Sequence, residues 1–217
     1  MKVITIAAPK GGSGKTTTTT LLAVRASRES MRVAMLDLNA DQANLAQWWF
    51  SRGQPMNPRL EGEVTNITMD VAVLRKSGRI EWLFIDTPPL DMDLIENAVA
   101  VSDAVVIPVK TSIFDIGAID SIVEICRAND KPYSFLLSAA DTRFKTLNAA
   151  ALAALVTEGP VFGTRISYRL PYINALTVGK VGPEIDKELW PEADALWSEV
   201  KVLAGKSRAE KGRAAHG

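Results

Sequence analysis

The sequence contains very few of the side chains that carry disulfide, thiolate-metal or histidine chemistry. Its 217 residues include one cysteine, Cys126, and one histidine, His216. A single cysteine cannot form an internal disulfide, and it excludes a Cys-x-x-Cys site within this chain. Cys126 lies in an apolar periodic run and is predicted to be a small core residue. Histidine acid–base catalysis is not expected, because His216 lies in a polar segment after the last predicted helix.

The sequence also lacks an excess of charge of one sign and any long apolar run. Lys plus Arg and Asp plus Glu both number 25, so the formal net charge is zero. Bulk charge therefore does not predict nucleic-acid binding, which would need a local patch. No apolar run approaches the roughly 20 residues of a membrane span, and the run Val3–Ala8 is too short for a signal peptide. We expect a cytoplasmic protein without stable membrane insertion.

Length and patterning favour one α/β domain. Hydrophobic residues make up 47% of the chain, which is enough for a substantial core. Apolar runs typical of buried strands alternate with helical patterns, and this alternation predicts a doubly wound, mostly parallel sheet flanked by helices. We predict a single domain over residues 1–205, followed by a basic, disordered tail over residues 206–217.

The individual elements follow from apolar runs and their periodicity. After a first strand at Val3–Ala8, the predicted strands are Arg32–Asp37, Ile67–Met69, Trp82–Asp86, Ala104–Val109, Tyr133–Ala139 and Arg165–Ser167. The predicted helices are Thr18–Arg28, Asp91–Val101, Phe114–Arg127, Thr146–Thr157 and Pro183–Ala204, with a helical turn at Val71–Lys76. The segment Tyr168–Gly182 is predicted to be a loop and turn region.

A glycine-rich loop lies between the first predicted strand and the first helix, which is the context of a phosphate-binding loop. Its core is formed by Gly11, Gly12, Ser13 and Gly14. The glycines let several backbone N–H groups point inward, and together with the helix N-terminus these bind phosphate oxygens. Lys15 is predicted to reach the β- and γ-phosphates. The Thr16 hydroxyl is predicted to ligate Mg²⁺, and Thr17 to contact the α-phosphate.

A second lysine, Lys10, precedes this loop. The run Lys-Gly-Gly-Ser-Gly-Lys-Thr-Thr resembles the deviant Walker A loop of the ParA/MinD ATPases. The resemblance implies that Lys10 is the signature lysine of that family, which reaches across a dimer to the partner's nucleotide. It covers nearly the whole chain and implies ATP and Mg²⁺ as cofactors.

The end of the second predicted strand carries the next acidic residues. Asp37 matches the first acid of the family's Asp-x-Asp-Pro-Gln segment, and the resemblance implies that it coordinates waters around Mg²⁺. The second acid of that segment orients the attacking water, and here the chain departs from the pattern. Asn39 stands at the direct position, whereas Asp41 lies two residues further on, before Gln42. We prefer Asp41 in this role, because an amide accepts a proton poorly.

The run Trp82–Asp86 is apolar and ends in an acid, which is the Walker B pattern. A central parallel strand of this kind delivers a carboxylate beside Mg²⁺, so Asp86 is a predicted metal-site residue. The following Thr87-Pro88-Pro89 segment is predicted to be a switch-like loop that senses the γ-phosphate.

The adenine and DNA contacts are less clearly marked. In the family the adenine pocket is built from the ends of late strands and nearby loops, which makes Pro108 and the segment Arg169–Pro171 candidates. Basic residues of the C-terminal half form the DNA surface of the family's dimers. The corresponding candidates here are Arg143, Lys145, Arg165, Arg169, Lys180, Lys201 and Lys206.

The resemblance as a whole implies a small ParA-type ATPase. Such a protein forms an ATP-bound homodimer, binds double-stranded DNA without sequence preference at the nucleoid, and is stimulated by a ParB-like or cargo-borne partner. One alternative is a MinD-like membrane-surface ATPase, which needs a C-terminal amphipathic helix; residues 206–217 contain no Leu, Ile, Phe or Trp. The other is a ligase of the dethiobiotin synthetase type, which shares the fold and the loop.

Overall fold

The computed structural model describes residues 1–39, 42–62, 64–112 and 116–214, with the backbone alone for residues 207–214. Its strands are β1 (Lys2–Ile6), β2 (Val33–Asp37), β3 (Arg59–Leu60), β4 (Trp82–Asp86), β5 (Ala104–Val109), β6 (Tyr133–Ala140) and β7 (Val161–Ser167). They form one sheet in the order β3-β2-β4-β1-β5-β6-β7, and every pairing is parallel. The carboxyl ends of all these strands therefore meet at one edge of the sheet.

Helices cover both faces of this sheet. They are α1 (Lys15–Arg28), α2 (Asn44–Ser51), α3 (Ile67–Ser77), α4 (Met92–Ala100), α5 (Asp120–Ala128), α6 (Lys145–Glu158), α7 (Leu170–Thr177), α8 (Gly182–Ile185) and α9 (Trp190–Ala214). Alternate residues of a strand point to opposite faces: Phe84 packs with Trp197 on one side, and Leu83 packs with Val71 on the other. Burial on both faces explains why the central strands are continuous apolar runs. The predicted doubly wound fold is confirmed.

The prediction of a strand at Ile67–Met69 is wrong. These residues form the first turn of α3, because the Asn66 side chain caps that helix by accepting a hydrogen bond of 3.1 Å from the Met69 backbone N–H. The strand next to β2 is instead β3, which was not predicted. It consists only of Arg59 and Leu60, so its apolar pattern is too short to detect.

The segment Tyr168–Gly182 is not only a loop, because it contains α7. Pro171 lies in the first turn of this helix, where a missing N–H costs nothing. The predicted helix at Pro183–Ala204 is interrupted: α8 ends at Ile185, and a 3₁₀ turn at Lys187–Leu189 leads into α9.

The C-terminal helix extends beyond the predicted boundary at residue 205. Its backbone is helical to Ala214, and the basic, disordered tail over residues 206–217 stays a prediction. This stretch contains Lys, Arg, Glu and Ala, which are good helix formers, and no proline. Residues 215–217 lie outside the described residues, and the single-domain division stays a prediction. No helix in the described part of the chain has the length and apolar content needed to cross a membrane.

The same helix protects the open edge of the sheet at β7. Glu199 accepts hydrogen bonds from the backbone N–H groups of Gly163 (2.7 Å) and Thr164 (3.1 Å). Glu192 accepts from the Ser167 N–H at 3.2 Å. Backbone donors that would otherwise remain unpaired at the edge are thus satisfied by side chains of α9.

Helix α9 also packs directly against α1, the helix that follows the glycine-rich loop. Glu29, just after α1, accepts a hydrogen bond of 2.9 Å from the indole of Trp197 and forms an ion pair of 3.2 Å with Lys201. Arg25 contacts both Glu29 and Asp194. The Trp197 hydrogen bond is the main cause that holds the pKa of Glu29 below its usual value. Helix α1, which follows the glycine-rich loop, is therefore held against α9 by these contacts.

Candidate functional site

The glycine-rich loop joins β1 to α1 at the carboxyl edge of the sheet, between the two neighbours of β1. Gly12 has φ 69° and Gly14 has φ 98°, which are left-handed backbone conformations that favour glycine. A Cβ atom built on Gly14 would lie 3.4 Å from Cβ of Ser138, and the Ser138 hydroxyl donates a 2.6 Å hydrogen bond to the Ser13 carbonyl. Strand β6 therefore supports the loop from below.

The side chain of Lys15 is buried beneath the loop rather than extended into solvent. Its Nζ atom donates to the carbonyls of Lys10 (3.0 Å) and Ala8 (3.3 Å). Burial lowers the pKa of Lys15, and the nearby Asp86 opposes that shift. The two carbonyls hold the ammonium beneath the glycine-rich loop, and the contact of Lys15 with the β- and γ-phosphates stays a prediction.

Asp86 lies at the end of β4, buried, beside the first turn of α1. The Thr16 hydroxyl donates a hydrogen bond of 2.7 Å to Asp86 Oδ2, whereas Asp86 Oδ1 has no partner among the described residues. Burial raises the pKa of Asp86 to about 7, and the neighbouring Asp37 contributes to the rise. A hydroxyl and a buried carboxylate with an unpaired oxygen fit a Mg²⁺ site, because this ion prefers oxygen ligands.

Asp37 is the register partner of Asp86 in the pairing of β2 with β4. Its carboxylate accepts hydrogen bonds of 3.0 Å from the backbone N–H groups of Asn39 and Ala46. Burial raises the pKa of Asp37, and these backbone donors oppose the rise. Asp37 thus lies beside the predicted metal site and also fixes the turn that leads into α2.

Of the two residues proposed to orient water, the structure describes only Asn39. Asn39 lies near the loop, and its amide donates to Gln42 Oε1 at 3.3 Å. Asp41 lies outside the described residues, so the preference for Asp41 stays a prediction. Thr87, predicted to sense the γ-phosphate, is buried, and its hydroxyl donates to the Ile6 carbonyl at 3.0 Å.

Two cavities flank the glycine-rich loop, and Gly12, Gly14 and Thr17 line both. The first, of about 550 Å³, we call the amide cavity, because Asn39, Gln42, Asn44 and Gln47 line it. The second, of about 360 Å³, we call the hydroxyl cavity, because Ser13, Thr18, Ser138 and Ser167 line it. In the hydroxyl cavity the side-chain oxygens of Ser13, Thr18 and Ser167 are buried and have no partner among the described residues.

The two adenine-pocket candidates have different surroundings. Arg169 lines the hydroxyl cavity and forms a 3.5 Å ion pair with Asp186. Pro108 is buried inside β5 and is not among the residues that line either cavity. The structure therefore places Arg169 beside the loop and does not place Pro108 there.

Lys110 and Ser138 also lie at the site, although the sequence analysis did not identify them. Lys110 directly follows β5, and Ser138 lies near the carboxyl end of β6. Both line the hydroxyl cavity. Polar residues at the carboxyl ends of β5 and β6, which lie on one side of β1 in the sheet, are the signal that could have found them.

The basic residues proposed for DNA binding fall into two groups. Ion pairs engage Arg143 with Asp141, Arg169 with Asp186, and Lys201 with Glu29. The exposed residues Lys145, Arg165, Lys180 and Lys206 form no such ion pair within the described part of the chain. The second group therefore offers the more available positive charge.

Comparison with known proteins agrees with this geometry. Residues 4–180 match the family described as the CobQ/CobB/MinD/ParA nucleotide binding domain. The chain is 29% identical over 153 residues to "Maintenance of carboxysome distribution protein A" of Gloeobacter kilaueensis, covering 65% of each chain. It is 26% identical over 115 residues to "Protein ParA" of Rhizobium radiobacter, covering 53% of this chain and 51% of the relative.

The fold is likewise similar to that of solved structures. The ATP complex of a McdA variant from Cyanothece superposes with a TM-score of 0.73 at 19% identity, covering 94% of this chain and 96% of that one. The alignments cover 65% of the length of the first relative and 51% of the length of the second. The family match includes the glycine-rich loop, Asp37 and Asp86. The chain belongs to the CobQ/CobB/MinD/ParA family of nucleotide-binding domains.

Proposed function

We propose that this protein is a ParA-type ATPase that dimerises with ATP, binds DNA non-specifically and positions a cargo such as a plasmid, a chromosome region or a protein cluster. One observation carries the ATPase assignment. The buried Lys15 ammonium and the Thr16–Asp86 hydrogen bond converge beneath one glycine-rich loop. A loop of this kind binds phosphate, and the hydroxyl–carboxylate pair suits the Mg²⁺ that accompanies ATP.

The chain's own residues act mainly by positioning and by neutralising charge. Backbone N–H groups of the loop and the N-terminus of α1 orient the phosphates, and Lys15 stabilises negative charge that develops during transfer. Thr16 and Asp86 would hold Mg²⁺, with Asp37 beside them at the end of β2. When bound, Mg²⁺ would neutralise negative charge on the β- and γ-phosphates. Asp41, or Asn39 in its place, is proposed to orient the attacking water.

Dimerisation and DNA binding extend this proposal. The relatives named for ParA and for carboxysome distribution support a positioning role, and the resemblance assigns Lys10 to the nucleotide of the partner protomer. A two-fold dimer would bring two sets of the available cations, Lys145, Arg165, Lys180 and Lys206, onto one assembly. A ParB-like or cargo-borne protein is the proposed activator, and the nucleoid the proposed location.

The two alternative functions make different demands on the chain. A MinD-like membrane-surface ATPase needs bulky apolar residues on its C-terminal helix, and residues 206–214 of α9 contain none. A ligase of the dethiobiotin synthetase type would not need ATP-dependent dimerisation or DNA. ATP-dependent association therefore separates the proposal from the ligase, and DNA binding separates it from both alternatives.

Nucleotide binding is the first test. Calorimetry with Mg²⁺–ATP should give binding for the wild type, and Lys15→Ala should abolish it. The control is Lys76→Ala, which removes an exposed lysine of α3 away from the loop. Thermal unfolding of each variant checks that the fold is retained. Unchanged ATP affinity in Lys15→Ala would contradict the assignment.

A further inference from the structure

Lys110 brings a third lysine to the glycine-rich loop. It directly follows Val109, the last residue of β5. Strand β5 lies between β1 and β6 in the sheet. A Cβ atom built on Gly12 would lie 3.6 Å from the Lys110 Nζ atom. The ammonium therefore lies against the backbone of the loop and is not directed away from it.

Lys110 lines one cavity together with several hydroxyl residues. Within the part of the chain that the structure describes, no hydrogen bond or ion pair engages Lys110. The residue lines the hydroxyl cavity together with Ser13 and Thr18. Both of these residues are buried, and neither hydroxyl has a hydrogen-bond partner among the residues that the structure describes. A polar lining that includes an ammonium suits a charged oxygen such as that of a phosphate.

We propose that Lys110 binds a phosphate oxygen of the nucleotide held by the loop of its own protomer. This inference rests on the proposed ATP binding and adds a residue to it. Lys15 approaches the loop from beneath, where two backbone carbonyls hold it, whereas Lys110 approaches from the side of the hydroxyl cavity. Two lysines on different sides of one phosphate chain would share its charge, and each charge-assisted hydrogen bond would add affinity.

The test compares variants of Lys110 in nucleotide binding. Calorimetry with Mg²⁺–ATP should show that Lys110→Met weakens binding roughly tenfold to a hundredfold, the effect of losing one hydrogen bond to a charged group. Lys110→Arg, which keeps the charge, should recover most of the affinity. The matched control is Lys76→Met, which removes an exposed lysine far from the loop. Lys110 is exposed, so thermal unfolding should not distinguish its variants from the wild type.

A second measurement establishes that the contact lies within one protomer. Binding of ADP is measured at concentrations where light scattering shows a monomer, and Lys110→Met should weaken it as well. An effect confined to the dimer would overturn the inference. Equal affinities of Lys110→Met and Lys76→Met, with intact wild-type binding, would also overturn it and leave the proposed function standing. Absence of ATP binding in the wild type would instead refute the proposed function, and this inference with it.

Discussion

Asp37 and Asp86 are register partners at the carboxyl ends of β2 and β4, but within the described residues only Asp86 has a carboxylate oxygen without a hydrogen-bond partner. Asp37 accepts backbone N–H groups on both of its oxygens. Asp86 accepts the Thr16 hydroxyl on Oδ2, and its Oδ1 has no partner in the described part of the chain. Of the two carboxylates, Asp86 is therefore the one with an oxygen available to a cation.

This difference predicts how stability depends on pH without nucleotide and Mg²⁺. The pKa of Asp86 is raised to about 7 by burial, against roughly 3.9 in an unfolded chain. A raised pKa means that the folded state favours the protonated carboxyl. The contribution of Asp86 to the free energy of unfolding is therefore complete below about pH 4, and it is lost as the pH rises through about 7. From about pH 5 to about pH 8 the wild type should lose on the order of a few kcal/mol of unfolding free energy relative to Asp86→Asn.

Urea unfolding at the two pH values measures this difference. The Asn variant is the matched control, because its amide does not titrate at that position. Adding Mg²⁺ with nucleotide at the higher pH should restore part of the wild-type stability, and Asp86→Asn should show less restoration. Parallel pH profiles for the two proteins would contradict the prediction.

Hydrolysis should distinguish Asp41 from Asn39. If Asp41 orients the attacking water, Asp41→Ala should lower turnover about a hundredfold or more, the effect of losing a positioned base. Phosphate release measures turnover, and light scattering with a non-hydrolysable ATP analogue checks that dimers still form. Our preference is wrong if Asp41→Ala retains turnover while Asn39→Ala loses it.

The signature lysine should affect hydrolysis more than nucleotide binding. Lys10→Ala keeps the backbone carbonyl that accepts the Lys15 ammonium, so the loop should keep its shape. We expect the wild type to shift from monomer to dimer with the ATP analogue, and Lys10→Ala to bind ATP with little change but to hydrolyse it poorly. Light scattering and phosphate release are the measurements, with Lys76→Ala as control. A wild type that remains monomeric at saturating analogue would refute the sandwich dimer.

DNA binding should depend on cations that form no ion pair within the described part of the chain. With ATP, the protein should shift unrelated double-stranded fragments, and its affinity should fall steeply with salt because phosphate contacts release counterions. Lys145→Ala and Arg165→Ala should weaken binding to all sequences and each reduce the salt slope by about one. Arg143→Ala, whose guanidinium already pairs with Asp141, is the control. Binding that does not require ATP would favour the alternative functions.

Local sequence patterns were sufficient to identify most residues of the candidate site. The strand, the glycines and the helix that hold Lys15 are contiguous in sequence, and the apolar run before Asp86 identifies a central strand without knowledge of its neighbours. The two-residue strand β3 is defined by its pairing with β2. A run of two residues is too short to show the alternation that predicts a strand. Lys110 and Ser138 are far from the loop in sequence, and only the order of strands in the sheet brings them beside it.

Local signals were also misleading in two places. Ile67 begins a β-branched and apolar stretch typical of a strand, yet the Asn66 cap turns it into a helix. Pro171 suggests a loop, yet proline in the first turn is compatible with a helix. In the first case the cap at Asn66 decides the structure, and in the second case the position of Pro171 in the first turn makes it compatible with a helix.

The carboxylates of Glu192 and Glu199 along β7 limit how copies of this protein can associate. A neighbouring chain could not extend the sheet there, because the donors it would need already bond to α9, and at the opposite edge β3 offers only two residues. The proposed dimer is therefore expected to use side-chain surfaces. Exposed sheet edges are templates for aggregation between chains, whereas the side-chain contacts of the proposed nucleotide-bound dimer could be made and released.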